Sequence, residues 1–156
     1  MRTNSIRQKL NGDEPTLGTH IHSVWPSEIE ALGHTGIYDY VEFVAEYGPS
    51  DLHDLDNMCR AAELHGLGSM CKIDQSLMPF LAQRSIGAGF ESILFTDVRS
   101  IEEVRDCIKS ARADHPDQGG LYGVATRRNS YMGYGGSQDY VDSLADVVLA
   151  FMIEKK

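Results

Sequence analysis

The sequence predicts an α/β fold of parallel (β/α) repeats, the first five strands of a TIM-type (β/α)8 barrel, left incomplete within 156 residues. Three observations predict it. Short β-branched and aromatic runs alternate with longer segments whose apolar residues recur at helical spacing. Strand starts fall roughly 20 to 30 residues apart, as in barrel repeats. Strands and helices that alternate in this way close into a parallel sheet with right-handed crossovers. A whole barrel takes about 250 residues, whereas this length, at about 150 residues per domain, accommodates a single domain over 1–156.

Each element has its own signal. SIRQKL at 5–10 reads as a short leading helix, with Ser5 as cap and Ile6 and Leu10 four apart, closed by Asn11-Gly12. TLGTHIH at 16–22 is a strand. PSEIEALGHTG at 26–36 is a helix opened by Pro26 and ended by Gly33 or Gly36. DYVEFVAEY at 39–47 is aromatic and β-branched, hence a strand. Leu52, Leu55, Met58, Cys59 and Ala62 give 51–65 a helical stripe, with Asp51 at the positive end of the helix dipole. LGSMCKI at 67–73 is a strand, and SLMPFLAQRSIGAG at 76–89 a helix that tolerates Pro79 in its first turn. ESILFTDV at 91–98 is the next strand, and Ser100 with Glu103 forms a capping box for the helix IEEVRDCIKSARAD. A Gly-rich stretch at 119–136 reads as a long loop, DYVDSLADV as a short helix or turn, and VVLAFMIE at 147–154 as a last buried strand.

Composition narrows the function classes. Hydrophobic residues at 42% and charged residues at 24% are those of a globular chain with a core. Twenty-three acidic against 14 basic residues leave a net charge of -9, which disfavours nucleic acid and anionic membrane surfaces as partners. No apolar run reaches the roughly 18 to 20 residues of a membrane helix, and the opening MRTNSIRQKLNGDEP lacks the apolar core of a signal peptide. A cytoplasmic location is expected. Cys59, Cys71 and Cys107 have no CxxC spacing and read as buried small hydrophobes.

In parallel α/β folds, ligand chemistry collects at the carboxyl ends of the strands. His20 and His22 share one face of their strand and suit a metal or a proton relay, or serve as hydrogen-bonded strand-end side chains. Glu42, Val44 and Glu46 alternate on the second strand. Glu46, beside the turn Tyr47-Gly48-Pro49, is placed to ligate a cation, orient a water or neutralise Lys72. Lys72 ends a buried strand and must reach solvent or a counter-ion; it is a candidate for a substrate carboxylate, a Schiff base or a structural ion pair. Glu154 follows an apolar strand and reads as a site residue. Arg127 and Arg128, in the Gly-rich loop, are a candidate clamp for an anionic substrate.

Taken in order, these segments resemble the HpcH/HpaI aldolase family, class II aldolases of the phosphoenolpyruvate/pyruvate barrel superfamily. The segments are KLNGDEPTLGTHIH, GHTGIYDYVEF, EYGPSDLHDLD in place of the family's D-x-E-H-x-P, CKI in place of VRxP, GAGFESILFTDVRSIEEVRDCIKSAR, GLYGVATRR and the strand ending in M-I-E. The likeness covers nearly all of the chain but only the front portion of the family's fold. It implies that Glu154 is a metal-binding glutamate and Glu46 the acid beside a metal-bound water. Lys72 stands where the family has an arginine that holds the pyruvate carboxylate, Tyr47 where it has its catalytic histidine, and Val44 where an aspartate supports that histidine. The family's second metal acid falls beyond Lys156.

What the resemblance implies is a lyase dependent on Mg²⁺ or Mn²⁺ that cleaves or forms a C–C bond of a 2-oxo acid, with an aldehyde as co-substrate. Lys72 would neutralise the carboxylate, and His20, His22 or Tyr47 would carry the proton. Two other readings accompany it. One is a non-catalytic half-barrel that self-associates, since an open sheet leaves two unpaired edges, and a homo-oligomer is expected on either account. The other is an amidohydrolase-type metal hydrolase built on the HxH pair, which expects histidines at later strand ends.

Overall fold

The computed structural model describes residues 2–123, 127 and 137–154. Five strands, β1 (Gly18–Ile21), β2 (Tyr40–Val44), β3 (Gly68–Ile73), β4 (Ser92–Phe95) and β5 (Val148–Phe151), form one sheet in the order of the chain. Every neighbouring pair is parallel. The helices are α1 (Ser5–Asn11), α2 (Pro26–His34), α3 (Leu52–Leu64), α4 (Met78–Ala88), α5 (Ile101–Ala111) and α6 (Gln138–Ala145). The predicted class and strand order hold, because each apolar run is too short to bury itself and must pack between its neighbours.

Register separates the two faces. Ile21, Phe43, Cys71 and Ile93 lie side by side across four strands, and with Val41, Ile73 and Phe95 they are buried on the face that packs against Ile29, Leu55, Met58 and Ile86. The alternate residues, Gly18, His20, Tyr40, Glu42, Val44, Met70 and Lys72, line the other face. Polar and charged residues concentrate there. At its lower end, a Cβ on Gly18 would fall 2.2 Å from the Tyr40 ring, so glycine is what lets that ring lie across β1.

The amino end of the sheet is closed by α1. Its cap is Asn4 rather than Ser5: the Asn4 side chain accepts from the Arg7 N–H and donates to the carbonyls of Glu91 and Asp146, just ahead of β4 and β5. Ser5 is freed to donate from both N and Oγ to the buried Glu91 carboxylate. Asp51 caps α3 in a reciprocal box with Asp54, and Ser100 caps α5. The segment predicted as one helix from 76 begins as a 3-10 turn (Gln75–Leu77) capped by Asp74, and α4 then carries Pro79 in its first turn. Most of the Gly-rich stretch 119–136 lies outside the described residues, as does Arg128. All three cysteines are buried and none is in a disulfide, as expected of small hydrophobes.

The strands are shorter than the apolar runs suggest. After Val44 the backbone turns, and its carbonyl accepts from the N–H groups of both Tyr47 and Gly48. β5 stops at Phe151. Glu46, Tyr47 and Glu154 therefore follow their strands instead of ending them. Among the described residues, no helix is long and apolar enough to cross a membrane.

Candidate anion-binding site at the strand carboxyl ends

The turn after β2 places Glu46 above Lys72. Its N–H donates to the Lys72 carbonyl at 3.2 Å, one bond beyond the regular β2–β3 ladder. The Lys72 Nζ then stands 2.8 Å from Glu46 Oε2, with the two side chains only 14% and 12% exposed. Nζ also lies 5.1 Å from the centre of the Tyr47 ring, a cation–π contact, while the ring itself is exposed. Gly48 seats this turn against β1, since a Cβ there would meet the His22 carbonyl at 2.9 Å.

The electrostatics follow from this packing. Burial pulls the Lys72 ammonium down, but the hydrogen bond and charge of Glu46, with Tyr47 and Glu42 adding, outweigh it and hold the pKa above the ordinary lysine value. Tyr47 is likewise raised, first by its hydrogen bond to Glu46 and then by that carboxylate's charge. The site thus presents a fixed ammonium and a protonated phenol. Asp97, in the left-handed region at φ 56°, adds its charge on Tyr47 from the end of β4. Thr96 Oγ1 donates to the Ile73 carbonyl at 2.9 Å and fixes that corner. In the sequence, Asp97 is legible only as part of the strand-end pair Thr96-Asp97; its place beside Tyr47 depends on a backbone conformation that residue types alone do not declare.

The predicted residues divide into those the fold assembles and those it separates. Glu46, Tyr47 and Lys72 come together. His20 and His22 lie on the same face, exposed, with rings stacked at 5.7 Å. His22, one residue past the pairing of Ile21 with Phe43, is level with Val44, which is buried and paired with Lys72. Arg127 is elsewhere. Its guanidinium donates to both carboxylate oxygens of Glu63, at 3.1 and 2.6 Å, and to the Ala88 carbonyl. Glu63 and Ala88 end helices that run back to the amino edge of the sheet, so Arg127 is a structural tie at the opposite end and not a substrate clamp at this mouth.

The metal expected on Glu46 and Glu154 does not fit the side chains present. Glu46 is already neutralised by the Lys72 ammonium, and Glu154 stands exposed three residues past β5. Among the described residues, no group of three or more His, Cys, Asp or Glu side chains is disposed around a common point. The same observation leaves the hydrolase reading of the HxH pair without further ligands.

Fold and mouth together define a parallel (β/α) chain of the barrel type that carries an ion-paired lysine, with a tyrosine ring beside it, at its strand carboxyl ends. No protein-family model matches the sequence. The chain is 28% identical over 145 residues to a hydroxypyruvate/pyruvate aldolase of Roseovarius nubinhibens, covering 92% of this chain and 54% of that protein. The crystal structure of an HpcH/HpaI aldolase/citrate lyase family protein from Burkholderia cenocepacia J2315 superposes with a TM-score of 0.84 at 28% identity, over 98% of this chain and 60% of that one. An HpcH/HpaI aldolase from Desulfitobacterium hafniense DCB-2 matches with a TM-score of 0.80 over 96% of this chain and 56% of its own; at 20% identity it speaks for the fold alone. The resemblance read from the sequence is thus matched by two solved structures that carry the HpcH/HpaI name, and this chain spans a little over half the length of each of these three proteins.

Proposed function

We propose that this chain supplies the 2-oxo-acid-binding part of a carbon–carbon lyase of the HpcH/HpaI aldolase type. The observation that carries the reading is the Lys72 ammonium, held charged by Glu46 on the open face of a fold shared with named aldolases. An ammonium has three donors. One is committed to Glu46, which leaves others for the carboxylate and the adjacent oxygen of a 2-oxo acid.

Aldol cleavage moves the electron pair of the breaking C–C bond onto that oxygen as an enolate, while the hydroxyl on the carbon that becomes the aldehyde gives its proton to water, and a fixed positive charge lowers the barrier where negative charge develops. The Tyr47 hydroxyl, kept protonated by Glu46, is the proton donor that turns the enolate carbon into a methyl or methylene group. In the reverse direction the phenolate so formed recovers the proton as the enolate is made. His20, on β1, and His22, just past its end, stand on the same face. No step is routed here through a divalent cation, because Glu46 is engaged by the Lys72 ammonium.

The test is steady-state kinetics of the protein carrying this chain with pyruvate or hydroxypyruvate and a panel of aldehydes. Lys72→Met is expected to raise the KM for the 2-oxo acid about 10- to 150-fold, the equivalent of a charged hydrogen bond worth about 1.5 to 3 kcal/mol. An unchanged KM in Lys72→Met, or no C–C bond formation or cleavage with any 2-oxo acid, would refute it.

A further inference from the structure

We propose that His20 and His22 form a two-imidazole chelate for a borderline transition-metal ion, Zn²⁺, Ni²⁺ or Cu²⁺, on the open face of β1. This is separate from the lyase reading and stands or falls without it. The two side chains stand two residues apart, His20 in β1 and His22 just past its end, and their ring centres are 5.7 Å from one another with the planes 11° from parallel. Two imidazoles bound to one tetrahedral ion at about 2.0 to 2.1 Å place their ring centres about 5 Å apart. The rings must therefore close by well under an ångström and turn their nitrogens inward. Both side chains are exposed, so nothing packed around them opposes that rotation.

The surroundings favour a cation. Glu42 is the register partner of His20 on β2, and the two side by side border an open pocket of about 360 Å³ completed by Gly18, Thr19 and Tyr40. The Glu42 carboxylate acts electrostatically on both Tyr40 and Lys72, so its field reaches across this face. Two exposed imidazoles stacked beside a carboxylate bury no apolar surface worth mention, so packing gives no reason for both positions to be histidine. Imidazole nitrogen selects Zn, Ni or Cu, whereas Mg²⁺ and Mn²⁺ prefer oxygen. The ligand class thus differs from that of a carboxylate-based aldolase metal.

The experiment is calorimetric titration of the untagged chain with ZnCl₂, NiCl₂ and MgCl₂ in turn. Expected is one Zn²⁺ or Ni²⁺ per chain, no heat from Mg²⁺, and an affinity at least about tenfold weaker in His20→Asn and in His22→Asn, a loss that removal of one outer partner alone can produce in metal sites. A His34→Asn/His65→Asn double variant tests the other close imidazole pair, whose rings meet edge-on at 6.5 Å, and is expected to bind as the parent does. Line broadening by substoichiometric Ni²⁺ in an NMR spectrum of the unmodified chain provides a second readout, expected at residues 18–24 and 40–44. Absence of Zn²⁺ and Ni²⁺ binding, retained affinity in both single variants, or broadening centred elsewhere would overturn the assignment.

Discussion

Removing the Lys72 ammonium tests whether the charged pair at the mouth is a fixed device or a surface contact. In Lys72→Met the Glu46 carboxylate, 12% exposed, loses a partner at 2.8 Å while the side-chain volume is nearly kept. An uncompensated buried charge costs about 3 to 5 kcal/mol. Here the mouth is open past the exposed Tyr47 ring, which lets water reach the orphaned acid, so about 3 kcal/mol is expected. Glu46→Gln leaves a lysine whose long stem can carry its charge to solvent, and a smaller loss of about 1.5 kcal/mol follows. The double variant carries neither charge and is expected to lose about 2 kcal/mol in all, which gives a coupling energy of about 2.5 kcal/mol. Urea denaturation of the four proteins measures it. The pH dependence has a definite sign: the folded Lys72 pKa lies above its unfolded value, so the contribution is full below the unfolded value of about 10.4 and is lost as pH rises through the folded one. The coupling is therefore equal at pH 7 and 9 and declines above about pH 10.5. A coupling below about 0.5 kcal/mol, typical of exposed pairs, or one unchanged at the alkaline end would refute the reasoning.

Two further outcomes follow from the same packing. Phe43, with no exposed surface, sits on the helix-covered face of the second strand, and Phe43→Ala is expected to cost about 3 to 5 kcal/mol in chemical denaturation. Asp39 is held below the usual carboxylate range by its hydrogen bond from Lys9 and then by the Leu17 N–H. Its stabilisation is present above the unfolded value near 3.9 and lost as pH falls through the lower folded one, so Asp39→Asn is expected to flatten the acid limb of a stability–pH curve measured between pH 6 and 2.

Strand order, helix positions and the buried cysteines were legible because they depend on periodicity, which local sequence records directly. Ser100 and Asp51 declared their helices by residue type and spacing. The errors fall where a tertiary contact decides. Asn4 rather than Ser5 caps the first helix because Ser5 is drawn to a carboxylate 86 residues away, and Asp146 lies 142 residues from the Asn4 amide it receives. No local pattern encodes either. The second strand looked longer than it is because Ala45, Glu46 and Tyr47 continue its alternation in composition, while the double acceptance at the Val44 carbonyl turns the backbone away. Arg127 looked like a loop cation free for a substrate because the acid that engages it, Glu63, belongs to a helix 64 residues earlier.

The composition of the mouth argues for a site selected by charge placement more than by a strong base. A phenol raised by a neighbouring carboxylate is a weak acid at neutral pH and its conjugate base is scarce, so in the proposed reaction Tyr47 would act only once an enolate basic enough to take the proton had formed. Lys72 provides the complementary element, because its charge is fixed by Glu46 and does not vary through the physiological range. A histidine in place of Tyr47 would titrate there, and an arginine in place of Lys72 would present a planar fork with less freedom to share one donor with Glu46. A compact ammonium instead sits between the acid and the ring face, at 2.8 Å from one and 5.1 Å from the other. Glu46 is therefore the pivot of the site. It raises both partners at once, so its loss should change the protonation behaviour of Lys72 and Tyr47 together, whereas a purely structural strand-end acid would leave them independent.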